Sequence, residues 1–237
     1  MKHLTDLLDL AKQGAPQRLV VIAAEDDDVL KAVIEATAQG IIQPILVGRS
    51  DRISELLTGL GADPGDYTII SADSLEQAAI AGLELFKNGQ ADFIMKGLID
   101  TSVLLKNVLN KEYGLRQGGL LSHVMVYEYE RYHKLLGMSD GGMNIARDRS
   151  QKKQIIDNAI RVFESLGYEE IKIGVLTAKE KPTDKMPATI DAEALSQMTW
   201  PEGVTVAGPI ALDLCLDKEA AQIKRFDSPV AGEADLL

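Results

Sequence analysis

The stretch Leu135-Leu-Gly-Met-Ser-Asp-Gly-Gly-Met-Asn-Ile-Ala-Arg-Asp-Arg149 decides how this chain is read. Its apolar start predicts a strand ending at Met138. Ser139, Asp140, Gly141, Gly142, Met143 and Asn144 then make a small, polar, backbone-flexible segment, and Asp148 or Ser150 can cap a helix that follows. Such a corner gathers free backbone N–H groups, a hydroxyl and a carboxylate at one point. Open α/β sheets hold their ligands at strand ends of this kind, so the segment is read as a hinge and one wall of a cleft. The same four residues, Ser-Asp-Gly-Gly, also make an ordinary turn, because Gly tolerates positive φ and Asp and Ser bond their own backbone. On the motif alone the turn is favoured.

Working back from the hinge, strand-like runs alternate with amphipathic helices. Arg18–Ala24 is a continuous apolar run, as a strand buried on both faces requires. Asp26 and Asp27 cap and charge a helix reaching Gln39. Gln43–Gly48 is a second strand, followed by a short helix from Ser50. Tyr67–Ser71 is a third strand, and Ser74 with Gln77 is a capping-box pattern for the next helix. Ala91–Lys96 is a fourth strand broken by Gly97, and Asp100-Thr101 caps the helix after it. Ser122–Glu130 and Tyr132–Met138 read as two further strands. Forward of the hinge, Gln154–Leu166 is helical, Ile171–Thr177 is a strand, Asp191 caps a helix to Met198, Val204–Ile210 is a strand and Ala211–Lys224 is mostly helical. Ala234-Asp-Leu-Leu237 looks like a strand beginning. This alternation implies mostly parallel sheets covered by helices. The expected organisation is two α/β domains, 1–138 and 139–237.

Composition removes several function classes. Lys and Arg total 25 against 36 Asp and Glu, a net charge of −11, which opposes non-specific nucleic-acid binding. No apolar run approaches the length of a membrane span. The N-terminus carries acids at helical spacing, unlike a signal peptide. The one cysteine, Cys215, fits a reducing compartment, so a cytoplasmic protein is expected. Gly-x-Gly-x-x-Gly, a Walker Gly-Lys-Ser/Thr, Gly-x-Ser-x-Gly and metal-ligand spacings are all missing. Carboxylates, cations, hydroxyls and backbone donors are left to carry any chemistry.

Three ordered stretches then resemble one family: Phe93-Ile-Met-Lys-Gly-Leu-Ile-Asp-Thr through Lys111-Glu-Tyr-Gly-Leu-Arg; Gly137-Met-Ser-Asp-Gly-Gly-Met-Asn; and Gly208-Pro-Ile-Ala-Leu-Asp through Ser228-Pro-Val-Ala-Gly-Glu-Ala-Asp. Together they resemble the phosphate acetyl/butyryltransferase family, closer to its butyryltransferase branch. The resemblance implies two three-layer αβα domains with mostly parallel sheets and an interdomain cleft, an architecture related to isopropylmalate dehydrogenase. It implies acyl transfer between CoA and inorganic phosphate, a homodimer, no metal and no cofactor, with CoA as a substrate. Anionic substrates need cations, hydroxyls and N–H groups, and a tetrahedral oxyanion needs fixed donors. The residues matching that need are Ser139, Asp140 and Asn144 for catalysis, and Lys96, Gly97, Thr101, Lys106, Arg116, Gly141, Gly142 and Thr189 for substrate. Thr101 reads equally as a helix cap alone, Lys106 and Arg116 as solvated charges, and Asp140 as the holder of its own turn.

The family continues past the Val-Ala-Gly-x-Ala-Asp stretch into a segment carrying a Ser-Arg pair and an aspartate base for the CoA thiol. The sequence reaches Leu237 without a Ser-Arg dipeptide. That departure raises an alternative, a non-catalytic remnant that binds CoA or an acyl phosphate.

Overall fold

A computed structural model describes every residue of the chain except Arg116, Gln117, Gly118 and Ala146. The chain order is α1 (Leu4–Ala11), β1 (Gln17–Ile22), α2 (Asp27–Ala38), β2 (Ile42–Gly48), α3 (Ser50–Gly59), β3 (Thr68–Ser71), α4 (Leu75–Lys87), β4 (Phe93–Lys96), α5 (Thr101–Val108), β5 (Met125–Tyr127), β6 (Leu136–Met138), α6 (Arg149–Ser165), β7 (Ile171–Leu176), α7 (Pro187–Ser196), β8 (Val204–Ile210), α8 (Leu212–Leu216) and α9 (Lys218–Ile223). It forms two compact units. One is Asp9–Gly118; the other joins Met1–Leu8 to Gly119–Leu237. The expected boundary at 138/139 therefore moves to 118/119. β5 and β6 precede the hinge, but they pair with each other and β6 meets Leu236 of the later chain.

In the unit Asp9–Gly118 the sheet order is β3-β2-β1-β4, with every pair parallel. Alternation along β1 sorts the core onto two faces. Val20 and Ile22 pack with Ala78 and Ala79 of α4 and Leu104 of α5. Val21 packs with Leu30 and Val33 of α2 and with Ile53 and Leu57 of α3. Helices thus cover both faces, as a parallel sheet requires. β1 stops at Ile22, two residues before the apolar run does, because Ala23 turns into the left-handed region at φ 57°. The Asp26 cap forms as expected, its Oδ1 accepting from Asp28 N and Val29 N at 3.0 Å each. Half of the Ser74 pattern forms conventionally, with Ser74 Oγ accepting from Gln77 N; Gln77 Oε1 accepts instead from Asp73 N.

The other unit is built differently. β5 and β6 are antiparallel, and β7 and β8 are parallel. The last residues join the two pairs: Leu236 bridges in parallel to Gly137 on one side and to Ile173 on the other. Gly137 N donates to Asp235 O, Leu237 N to Gly137 O, and Gly174 N to Leu236 O. Ala234–Leu237 is therefore an inserted central strand. Its Asp235, 4% exposed, accepts from Lys134 Nζ at 2.7 Å and Lys172 N at 2.9 Å. α6 lays Ile156, Ala159, Ile160 and Phe163 on one face of this sheet, while α8 and α9 cover Leu136 and Ile210 on the other.

Local expectations differ from the structure in three more places. The expected strands 122–130 and 132–138 shrink to three residues each. Asp191 lies inside α7, which starts at Pro187, and pairs with Lys152 and Arg149 rather than capping; Pro at the first helical position is the stronger start signal. The helix expected over 211–224 breaks at Asp217, whose carboxylate caps α9.

Candidate active site

The hinge corner is held by one carboxylate. Asp140 Oδ1 accepts from Met143 N at 2.8 Å and Gly142 N at 3.2 Å; Oδ2 accepts from Asn144 Nδ2 at 2.5 Å and His123 N at 3.3 Å. Partial burial pushes the Asp140 carboxyl upward, but the hydrogen bonds from Asn144, Met143, Gly142 and His123 outweigh it and hold the group below the ordinary carboxylate range. A carboxylate with both oxygens engaged and a depressed pKa is a poor proton acceptor, so Asp140 positions the corner. Asn144 is equally committed: Nδ2 also donates to Leu121 O at 2.8 Å, and Oδ1 accepts from Arg147 Nε at 3.0 Å.

Ser139 is the exception. Its backbone N–H donates to Leu237 O at 2.8 Å, while its Oγ is buried without a hydrogen-bond partner among the described residues. Buried hydroxyls normally find one. Ser139 is one of the residues lining a cavity of about 490 Å³ at the carboxyl ends of β6 and β7, under the first half of α6. The polar mouth is Ser139, Asp140, Gly141, Asn144, Arg147 and Lys152; the interior is Ile155, Ile156, Ala159, Ile173, Leu195 and Leu236. Lys152 Nζ is held by Asp191 at 2.7 Å, and that bond, with a weaker one from Arg149, keeps the Asp191 carboxyl below its usual range despite burial.

Sequence reading missed Arg147 and Lys152. The signal was the Arg147-Asp148-Arg149 run beside a glycine corner, passed over as helix-start chemistry. Asp148 does cap α6 through a reciprocal box with Gln151, and this fixes where the preceding loop delivers Arg147. Gly141 and Gly142 are exposed; a Cβ on Gly142 would meet nothing within 4 Å. The backbone there is open to a close approach. Thr189 does not belong with this group. It is fully buried, and its hydroxyl accepts from Thr183 N at 2.8 Å and donates to Met186 O at 2.7 Å, tying the turn before α7. The Thr189 hydroxyl thus has its one hydrogen spent on Met186 O.

In the unit Asp9–Gly118, Lys96 and Gly97 end β4 as expected. Lys96 is exposed, with Nζ donating to Gly97 O at 3.2 Å. Gly97 is buried and its N–H is spent on Ile22 O at 2.8 Å, so it offers no donor to a ligand. Thr101 is exposed at the start of α5, and the N-cap residue Asp100 makes no side-chain cap bond. That leaves the first N–H groups of the helix available, with the exposed Asp100 carboxylate beside them. Lys106 is exposed in the last turn of α5, away from Thr101. Arg116 lies outside the described residues. A second cavity, about 460 Å³, opens at the carboxyl ends of this sheet beside Leu98, but its arginine, Arg49, is engaged by Glu25.

A larger cavity, about 670 Å³, borders Tyr129, Arg131, His133 and Lys218 at the opposite ends of β6 and the last strand; it holds none of the expected residues, and Glu233 engages both His133 and Lys218. Cys215 is buried, and burial pushes its thiol up to about 12, so it is inert packing. Among the described residues no group of three or more His, Cys, Asp or Glu gathers as a metal site, and no helix is long and apolar enough to cross a membrane.

This geometry can be set beside known proteins. The chain is 37% identical to a phosphate butyryltransferase of Clostridium acetobutylicum over 240 aligned residues, covering 100% of this chain and 80% of that one. It is 37% identical to a phosphate acetyltransferase of Thermotoga maritima, covering 99% and 80%. Among solved structures, a branched-chain phosphotransacylase from Enterococcus faecalis V583 superposes with a TM-score of 0.79 at 27% identity, covering 93% of this chain and 78% of that one. The family model described as Phosphate acetyl/butaryl transferase matches residues 68–237, which include the β4 end, the Asp140 corner and the inserted last strand. On that match and on relatives aligned along the whole chain, the chain belongs to the Phosphate acetyl/butaryl transferase family.

Proposed function

We propose that the protein moves a short-chain acyl group between CoA and inorganic phosphate: acyl-CoA plus phosphate gives acyl phosphate plus CoA. A phosphate oxygen attacks the thioester carbonyl carbon, the new C–O bond forms, and the C–S bond breaks as the sulfur leaves and takes up a proton. No covalent enzyme intermediate is needed, so positioning and oxyanion stabilisation carry the acceleration. The observation that carries this reading is the buried, unpartnered Ser139 Oγ, on a residue that lines a cavity together with Asp140, Asn144, Arg147 and Lys152. In this reading Ser139 donates to the carbonyl oxygen as it gains charge. Asp140 and Asn144 fix the corner, Arg147 holds phosphate with its remaining guanidinium N–H groups, and Gly141 and Gly142 let the substrate approach the main chain closely. Lys96, Thr101 and Lys106 are exposed cations and donors of the kind that bind anionic groups such as those of CoA and phosphate.

Loss of butyryl-CoA absorbance in the presence of phosphate tests the reading directly. Ser139→Ala should fold with unchanged stability, since it removes an unpartnered hydroxyl, and should lower kcat by about 100-fold. CoA binding by folded protein without any turnover would overturn the catalytic reading in favour of a CoA-binding module. The same reading makes the working form a cytoplasmic homodimer with CoA as a substrate and no cofactor. The buried, unpaired Cys215 is consistent with a reducing compartment; a single-chain mass by light scattering would overturn the dimer.

A further inference from the structure

One cation of the cavity rim is held from a different helix. Lys152 Nζ donates to Asp191 Oδ2 at 2.7 Å, and Arg149 Nε donates to the other oxygen, Oδ1, at 3.2 Å. Arg149 and Lys152 are three residues apart at the start of α6 and so leave the same side of it. Asp191 comes from the second turn of α7. Of the three, Lys152 lines the cavity and the other two do not. Its side chain is 31% exposed, against 22% for Asp191. An ammonium has three N–H donors, and Asp191 is its one hydrogen-bond partner among the described residues. A free lysine head wanders on a flexible four-carbon stem. Tied by one hydrogen to a half-buried carboxylate, it keeps two donors in a fixed place, as preorganised anion binding requires.

Resting on the acyl-transfer reading above, we propose that Lys152 is a second phosphate-binding cation beside Arg147 and that Asp191 is its positioning residue. Arg147 is tied in the same way, its Nε donating to Asn144 Oδ1 at 3.0 Å. The rim thus offers two pinned cations, one just before α6 and one in its first turn. The role of Asp191 carries a sign. As a mere negative charge near the rim it repels phosphate, and its removal tightens binding. As the group that holds Lys152, its removal weakens binding.

The test is calorimetric titration of the full chain with inorganic phosphate and, separately, with CoA, so that binding is read apart from turnover. Lys152→Met keeps the apolar stem and loses the charge. It should weaken phosphate by about tenfold and leave CoA within twofold. Asp191→Asn should weaken phosphate by about threefold through the regained freedom of the lysine, and Asp191→Glu should recover most of that loss. Lys153→Met is the control: that ammonium lies on Asp157 at 2.8 Å and over the Trp200 ring at 5.0 Å, and its loss should leave phosphate affinity unchanged. In turnover of butyryl-CoA, Lys152→Met and Asp191→Asn should raise KM for phosphate and leave KM for butyryl-CoA in place. If Lys152→Met fails to fold by circular dichroism, Lys152→Gln serves, since its amide still donates to Asp191. A folded Lys152 variant that binds phosphate within twofold of wild type, or that loses CoA equally, would overturn the cation's assignment. Tighter phosphate binding by Asp191→Asn would overturn the positioning role. Phosphate affinity that depends on Lys152 in a chain with no turnover of butyryl-CoA would overturn the proposed reaction and leave the cation's role standing.

Discussion

Two corners of the molecule look alike in sequence, each a strand running into glycine before a helix. At the end of β4, Gly97 sits where a Cβ would lie 2.1 Å from Ala23 O, and its N–H and that of Leu98 are both spent on the backbone of β1's end. At the end of β6, Gly142 faces open space, and the donors around it converge on Asp140. The first glycine exists because neighbouring backbone leaves no room. The second exists where nothing fills the room. Glycine before a helix is therefore two different statements, one about packing and one about access, and only the second points to a ligand.

The difference can be broken by substitution. Gly97→Ala should cost about 3 kcal/mol in urea unfolding, because the obstructing atom is backbone and cannot swing away; a loss under 1 kcal/mol would mean the β4 corner is as open as the other. Asp140→Ala should cost about 2 kcal/mol by leaving Met143 N, Gly142 N and the Asn144 amide unpaired, with activity falling alongside. The Asp140 carboxyl is depressed in the folded protein, so its stabilisation is complete above the ordinary carboxylate range and is lost as pH falls through the lowered value. Asp140→Asn should remove that acid-side part of the stability profile, and an unchanged profile would show that the corner is held by something else. Gly142→Ala should change stability by less than about 0.5 kcal/mol, yet slow turnover if a substrate passes close to that backbone. Equal effects at Gly97 and Gly142 would erase the distinction.

The sequence made much of the Asp9–Gly118 sheet visible because its strands are apolar runs and its helix starts carry their own caps, as at Asp26 and Ser74. The three ordered motifs also marked the family and the Ser139–Asn144 corner. Three things were hidden, each for a physical reason. Thr189 reads as an available hydroxyl until its partners Thr183 and Met186, close in the chain, are seen to use it. Asp191 reads as a cap because its type favours caps, whereas Pro187 starts the helix and Lys152 claims the carboxylate. The cavity wall depends on α6 passing beside Leu236, and a four-residue strand has too little length to show a period or to name its neighbours.

That inserted strand has a consequence for the order of synthesis. Leu236 joins Gly137 to Ile173, and Lys134 clamps Asp235, so the sheet of that unit cannot close until residues 234–237 have left the ribosome. Its other edge is anchored by residues 1–4, with Leu4 N and the His3 ring on Glu128 and Leu135 N on Met1 O. Residues 9–118 are contiguous and can fold while translation proceeds. The sheet of the other unit instead waits until residues 1–4 and 234–237 are present together.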